Sequence, residues 1–322
     1  MKSLVHTARR GLQAGLTMVE LLVSLVLVSL ITLVVLALYT SSASSYKTID
    51  SNQQLQDNAR FIFEVVSQAV RQAGLQDGAQ YAAFSGASVL ALPPTPDATV
   101  FAGQPPLFGY NNGKIASPSN VTDYGANDTA GATLNHSDVF GVRYFGSSRL
   151  DTVPLDAGTP DGSVIDCRGT PVRYPDSAVD IGLSIFIIGL RASDNEPELM
   201  CVNRVRTGGP WNIVSGVETF QVMYAVDTNV GEDTTPNRWL NGKQVGDANL
   251  WPRVRMIRIG MVLRGSVGSA TTQAAVLYPF GEEFSKISGT PSAELGMRFV
   301  PPNDGRLRRA FAFNLAIRNP LD

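Results

Sequence analysis

From Leu21 to Tyr39 the chain carries no charged residue, no proline and no glycine. At about 1.5 Å per residue, a helix of roughly 20 such residues crosses the hydrocarbon core of a bilayer. This run constrains the rest of the chain, because the segments on its two sides then face opposite sides of a membrane. Ahead of it lie residues Met1 to Gly15, with Lys2, Arg9 and Arg10 and no acid. Basic residues beside a span hold that flank in the cytoplasm, so the long C-terminal part is expected on the other side. A secretory signal peptide fits poorly, since its apolar core of about 7–15 residues should end at the cut. One carboxylate, Glu20, stands just inside the apolar segment. An ionisable group there costs about 2.5–3.5 kcal/mol and asks for a partner. A plain anchor gives no reason for it.

Basic leader, Gly15, apolar Leu16 and then Glu20, fifth residue counted from Leu16, form an order that resembles the type IV prepilin family. The family usually has phenylalanine where this chain has Leu16. The resemblance implies a cut between Gly15 and Leu16 by a prepilin peptidase, and N-methylation of Leu16. It also implies a charge-pairing role for Glu20 in assembly. The expected location is then the bacterial inner membrane, single-pass with the leader cytoplasmic and the domain periplasmic, and after assembly a cell-surface pilus.

Helical periodicity continues past the apolar run. Leu55, Ala59, Ile62, Val66, Ala69 and Ala73 recur at alternating spacings of four and three, the seam of an amphipathic helix. Phe63 and Val70 broaden the stripe, and Arg60, Glu64, Gln68, Arg71 and Gln72 supply the wet face. Gly74 is placed to stop it. One nearly continuous helix is therefore predicted over 16–73. Residues 75–137 are rich in Gly, Ala, Ser, Asn and Pro, with Pro93-Pro94-Thr95-Pro96 and Asn111-Asn112-Gly113 as loop punctuation. Strand patterns then recur at 138–145, 181–190, 198–205, 216–226, 253–263, 274–280 and 307–318. The expected fold class is α+β: a long N-terminal spine helix, hydrophobic then amphipathic, packed on an antiparallel β-sheet domain. The expected segments are a leader over 1–15, a transmembrane and assembly helix over 16–39, its amphipathic continuation over 40–74, and a β-rich periplasmic or extracellular domain over 75–322.

Several later patches narrow the resemblance. Ser45-Tyr46-Lys47-Thr48, Leu55 to Phe61, and Arg71-Gln72-Ala73-Gly74 are similar to the spine of PilW-type minor pilins. So are Gly216-Val217-Glu218 with Val222-Met223-Tyr224, the stretch from Val254 to Arg264, and Leu307 to Phe311 with Ala316 to Asn319. The likeness is weakest across 75–180. It implies a minor pilin acting in initiation or assembly of a type IV pilus, at or near the tip. The implied partners are prepilin peptidase and, through the N-terminal helix, other minor pilins and the major pilin. The alternatives are a J-like pseudopilin of type II secretion, or a tip adhesin using the loop-rich surface. Twitching motility, adhesion, DNA uptake and phage entry are all compatible with these residues.

Composition argues against other classes. Without the leader the chain has 23 basic and 28 acidic residues, whereas a nucleic-acid binder carries a basic excess. Only His6 and His136 occur, and His6 lies in the leader, so histidine-based metal sites and Ser/His or Cys/His catalysis have little material. No nucleophile elbow, P-loop, HExxH or EF-hand loop is present, and no enzyme activity or cofactor is expected. The two cysteines, Cys167 and Cys201, fall on the oxidising side, where an even count favours a disulfide over two buried thiols. Asp227, Asn229 and Asp233 alternate as calcium ligands do, but lack the complete spacing, and a polar loop is the better reading.

Overall fold

The computed structural model describes residues 15, 17–75, 105–113, 133–149, 158–175, 181–203, 210–229, 235–270, 275–282, 284 and 296–319. The chain divides into two units, Met1–Ile49 and Asp50–Asp322. Helix α1, Met18–Gln72, supplies the described part of the first unit beyond Gly15 and Thr17, and also begins the second.

Within the first unit the helix is predominantly apolar from Leu21 to Tyr39. From Leu21 to Tyr39 its leucines and valines are exposed, and the hydroxyls of Ser24, Ser29 and Thr32 turn back to carbonyls of the preceding turn. Such back-bonding satisfies a hydroxyl without water. The helix is long and apolar enough to cross a membrane.

In the second unit α1 becomes one-sided. The six seam residues from Leu55 to Ala73 all enter the core, together with Val70. Phe63, expected to broaden the stripe, is 39% exposed but sets its ring edge-on to Phe313, centroids 5.1 Å apart. On the wet face the Arg60–Glu64 pair at 3.4 Å is largely in solvent and contributes little. Gly74 ends the helix with φ of 70°, a conformation open to glycine, and its N–H reaches Arg143 O at 2.9 Å.

The helix packs on two antiparallel sheets rather than one. The first is a meander of β1 (Leu107–Tyr110), β2 (Val139–Tyr144), β3 (Gly182–Leu190), β4 (Pro197–Asn203) and β5 (Trp211–Ser215). The second has the order β7-β6-β8-β9, from β6 (Val217–Val226), β7 (Arg238–Asn241), β8 (Val254–Val267) and β9 (Arg306–Ala316). A short helix α2 (Gly242–Asp247) comes after β7, held by a capping box between Asn241 and Gln244. The chain changes sheets at Gly216, where φ is 81°. Its N–H donates to Pro197 O of the first sheet and its carbonyl accepts from Arg264 N of the second. A Cβ at this position would meet the Arg264 carbonyl.

Six of the seven predicted strands form, with ends shifted by a few residues. The seventh, 274–280, is corrected: its described residues make only an isolated bridge, Leu277 to Phe299. Pro279 in that stretch cannot donate to a ladder. β6 is buried on both faces. Its apolar set Val217, Phe220, Val222 and Tyr224 faces the main core, yet all ten residues are buried. The polar face is covered too, with Gln221 bonded to His136 O and Glu218 held by arginines.

That carboxylate is the centre of a charged cluster. Arg308 grips Glu218 with Nε to Oε2 at 2.9 Å and Nη2 to Oε1 at 2.8 Å, and Arg264 adds a contact at 3.1 Å. Arg308 also holds Asp304, while Arg264 holds Glu196 at 2.7 Å. Hydrogen bonds from Arg264 keep the Glu196 carboxyl below its usual 4.5, and those from Arg308 keep Asp304 below its usual 3.8. Depressed carboxyls contribute stability above their unfolded values and lose it as pH falls through the folded ones. Thermal unfolding monitored by circular dichroism should therefore be flat above about pH 5 and fall steeply below about pH 4. A melting temperature unchanged down to about pH 3 would contradict this.

Candidate functional site

Two features bear on function: the N-terminal turn of α1, and the cross-linked loop beside its C-terminal half. At the first, Thr17 precedes the helix and Glu20 lies in its first turn. The Glu20 N–H donates to Thr17 Oγ1 at 3.3 Å, and Thr17 N–H and hydroxyl both donate to Glu20 Oε2 at 3.4 Å. This is a capping box, threonine at the cap and glutamate three residues on, which satisfies donors that a helix start leaves open. Sequence reasoning singled out Glu20 but missed Thr17, although the Thr-Met-Val-Glu spacing carries the signal. Gly15 is exposed, and a Cβ there would touch nothing among the described residues. Leu16 and the leader from Met1 lie outside the described residues.

At the second, Cys167 and Cys201 form the expected disulfide, their Cα atoms 5.9 Å apart. Cys201 is fully buried on β4 between Phe186 of β3 and Trp211 of β5. Cys167 belongs to a tight turn closed by a bridge between Ile165 and Pro171. Asp166 organises the turn: one carboxylate oxygen accepts the N–H groups of Arg168 at 2.8 Å and Thr170 at 3.0 Å, the other the Asn203 amide. The bridge spans 34 residues of sequence and contributes about 3–4 kcal/mol on the chain-entropy model. Cys201→Ser is expected to cost about 2–5 kcal/mol in denaturant unfolding. A midpoint and slope equal to those of the parent chain would contradict it.

The remaining sites of interest separate. Asp227 accepts the Asn229 N–H at 2.9 Å, and Asn237 accepts the Thr228 N–H and hydroxyl, so the loop bonds to itself. Asp233 lies outside the described residues. Among the described residues no group of three His, Cys, Asp or Glu side chains could hold a metal. His136 is half-buried in a 3-10 turn, Leu134–His136. Trp251 is core, edge-on to Tyr224 at 5.0 Å, whereas Trp211 is 55% exposed.

An apolar N-terminal helix whose second half lies on antiparallel sheets, with a capped carboxylate in its first turn, is an α+β arrangement of the class expected from the sequence. Residues 185–319 match the family model described as Type IV Pilus-assembly protein W. The matched span runs from β3 to beyond the end of β9 and excludes the N-terminal helix. Among solved structures the chain is similar to the Type IV-like pilin TTHA1219 from Thermus thermophilus, at 14% identity and a TM-score of 0.38. The alignment covers 82% of this chain and 96% of that one. No curated protein sequence matches the chain.

Proposed function

We propose that the chain is a minor pilin, processed at Gly15–Leu16, that takes part in initiating or assembling a type IV pilus at or near its tip. The observation that carries this reading is the co-occurrence, in one chain, of a prepilin-like N-terminus and a pilus-assembly family match in a separate segment. Gly15 adds support. Among the described residues nothing lies within 4 Å of a Cβ placed there. An extended backbone threading a tight peptidase cleft does need glycine.

The mechanism rests on desolvation. Removal of residues 1–15 gives Leu16 a new α-amino group, one helical turn from Glu20, in apolar surroundings. Each charge alone is expensive there, and pairing them between neighbouring subunits relieves both. The exposed surface from Leu21 to Tyr39 then exchanges lipid for the apolar helices of other pilins, with little loss of apolar burial. The partners are prepilin peptidase, other minor pilins and the major pilin; the role is structural rather than enzymatic. Before assembly the chain sits in the inner membrane with its domain in the periplasm.

Gly15→Val is expected to leave the leader attached and to reduce surface pili as deletion of the chain does, read by N-terminal sequencing and electron microscopy. Unimpaired cleavage of this variant, or normal pilus number after deletion, would overturn the reading.

A further inference from the structure

We propose that the cleft between α1 and β5 docks an acidic segment of another filament protein. Its carboxylate would rest on Arg168 and an adjoining apolar side chain between Phe61 and Trp211. This rests on the filament role above. The cleft has a volume of about 350 Å³, with Phe61, Val65 and Gln68 from α1 on one side and Trp211 and Ile213 from β5 on another. Phe61 is 49% exposed and Trp211 55%. Two exposed aromatics facing one cleft are the kind of apolar anchor that interfaces use.

Arg168 selects the occupant. Its guanidinium carbon lies 4.8 Å from the centre of the Trp211 ring, and among the described residues no carboxylate pairs with it. Asp166, the acid of its own turn, spends both oxygens on Arg168 N–H, Thr170 N–H and the Asn203 amide. A guanidinium stacked on indole keeps its planar fork of donors open, and that fork matches a carboxylate. The disulfide and the Asp166 turn hold it in place, which lowers the ordering cost of binding. A carboxylate beside apolar atoms is the chemistry of an acidic polypeptide segment. The cleft is built partly on α1, the helix through which the filament partners are proposed to assemble.

The test places a photo-crosslinking residue at Gln68, which lines the cleft, in the full-length chain in piliated cells. The expected result is a cross-link to a second pilin-class protein, mapped to a segment with Asp or Glu next to an apolar residue. Arg168→Glu should reduce its yield by about tenfold or more, with Arg168→Lys falling between. Exposed Trp211→Ser should weaken it independently, and retained protease resistance and disulfide confirm that each variant folds. A cross-link indifferent to Arg168, one confined to saccharide or lipid, or none at all overturns the proposal if the chain is present in sheared filaments. Absence of the parent chain from sheared filaments overturns the filament role and this proposal with it.

Discussion

Arg308→Ala is expected to destabilise the unit formed by residues 50–322 by about 3–5 kcal/mol. The Arg308 side chain is 1% exposed and that of Glu218 4%, so neither charge has water to fall back on. Taking the guanidinium away removes two hydrogen bonds from Glu218 and leaves only Arg264 at 3.1 Å to balance it. It also releases Asp304, which draws on the same guanidinium. The cost is that of stranding a charge rather than the worth of the pair. Replacing both partners with apolar residues, Glu218→Leu with Arg308→Met, is therefore expected to cost less than Arg308→Ala alone. Urea unfolding of the detergent-solubilised chain, monitored by tryptophan fluorescence, measures both. A double variant less stable than the single one would show that the cluster contributes net stability through its own attraction.

Glu20→Gln is expected to lower recovery of the chain in sheared filaments by about tenfold or more while leaving processing intact. An unpaired charge in the apolar layer costs about 2.5–3.5 kcal/mol, roughly 100-fold in an equilibrium. In the variant the new α-amino group of Leu16 loses the partner that would offset that cost. The capping box makes this substitution unusually clean. Thr17 accepts the Glu20 N–H and donates back to its side chain, and glutamine three residues after the cap serves as well as glutamate. The variant keeps the helix start and removes only the charge. Thr17→Val does the converse, loosening the cap with the charge retained, and should leave filament recovery near that of the parent chain. If Glu20→Gln is incorporated normally, charge pairing has no part in assembly.

The helix was legible because a seam of alternating four- and three-residue spacings is a long, redundant signal, and all six seam residues reach the core. The central strands were legible for a related reason: they are long and bury apolar residues on at least one face. The three strands that sequence reasoning missed, β1, β5 and β7, are sheet edges of four or five residues. An edge strand this short has too few side chains to display a period, and Gly109 interrupts β1 as well. The division into two sheets was hidden in one residue, Gly216, whose positive φ no pattern of apolar residues announces. At the N-terminus Glu20 stood out because a carboxylate among leucines is conspicuous, while Thr17 drew no attention because its bond depends on where the helix begins. In the charged cluster Glu218 and Arg308 bond across 90 residues of sequence, and only the register of β6, β8 and β9 makes Glu218, Arg264 and Arg308 neighbours.

The most direct test of a filament role is the N-terminus of the chain in sheared, purified pili. Tandem mass spectrometry is expected to find a peptide beginning at Leu16, N-methylated, in that fraction, together with a Cys167–Cys201 cross-linked peptide. Recovery of the chain only from the inner membrane, with Met1 still in place, would contradict it.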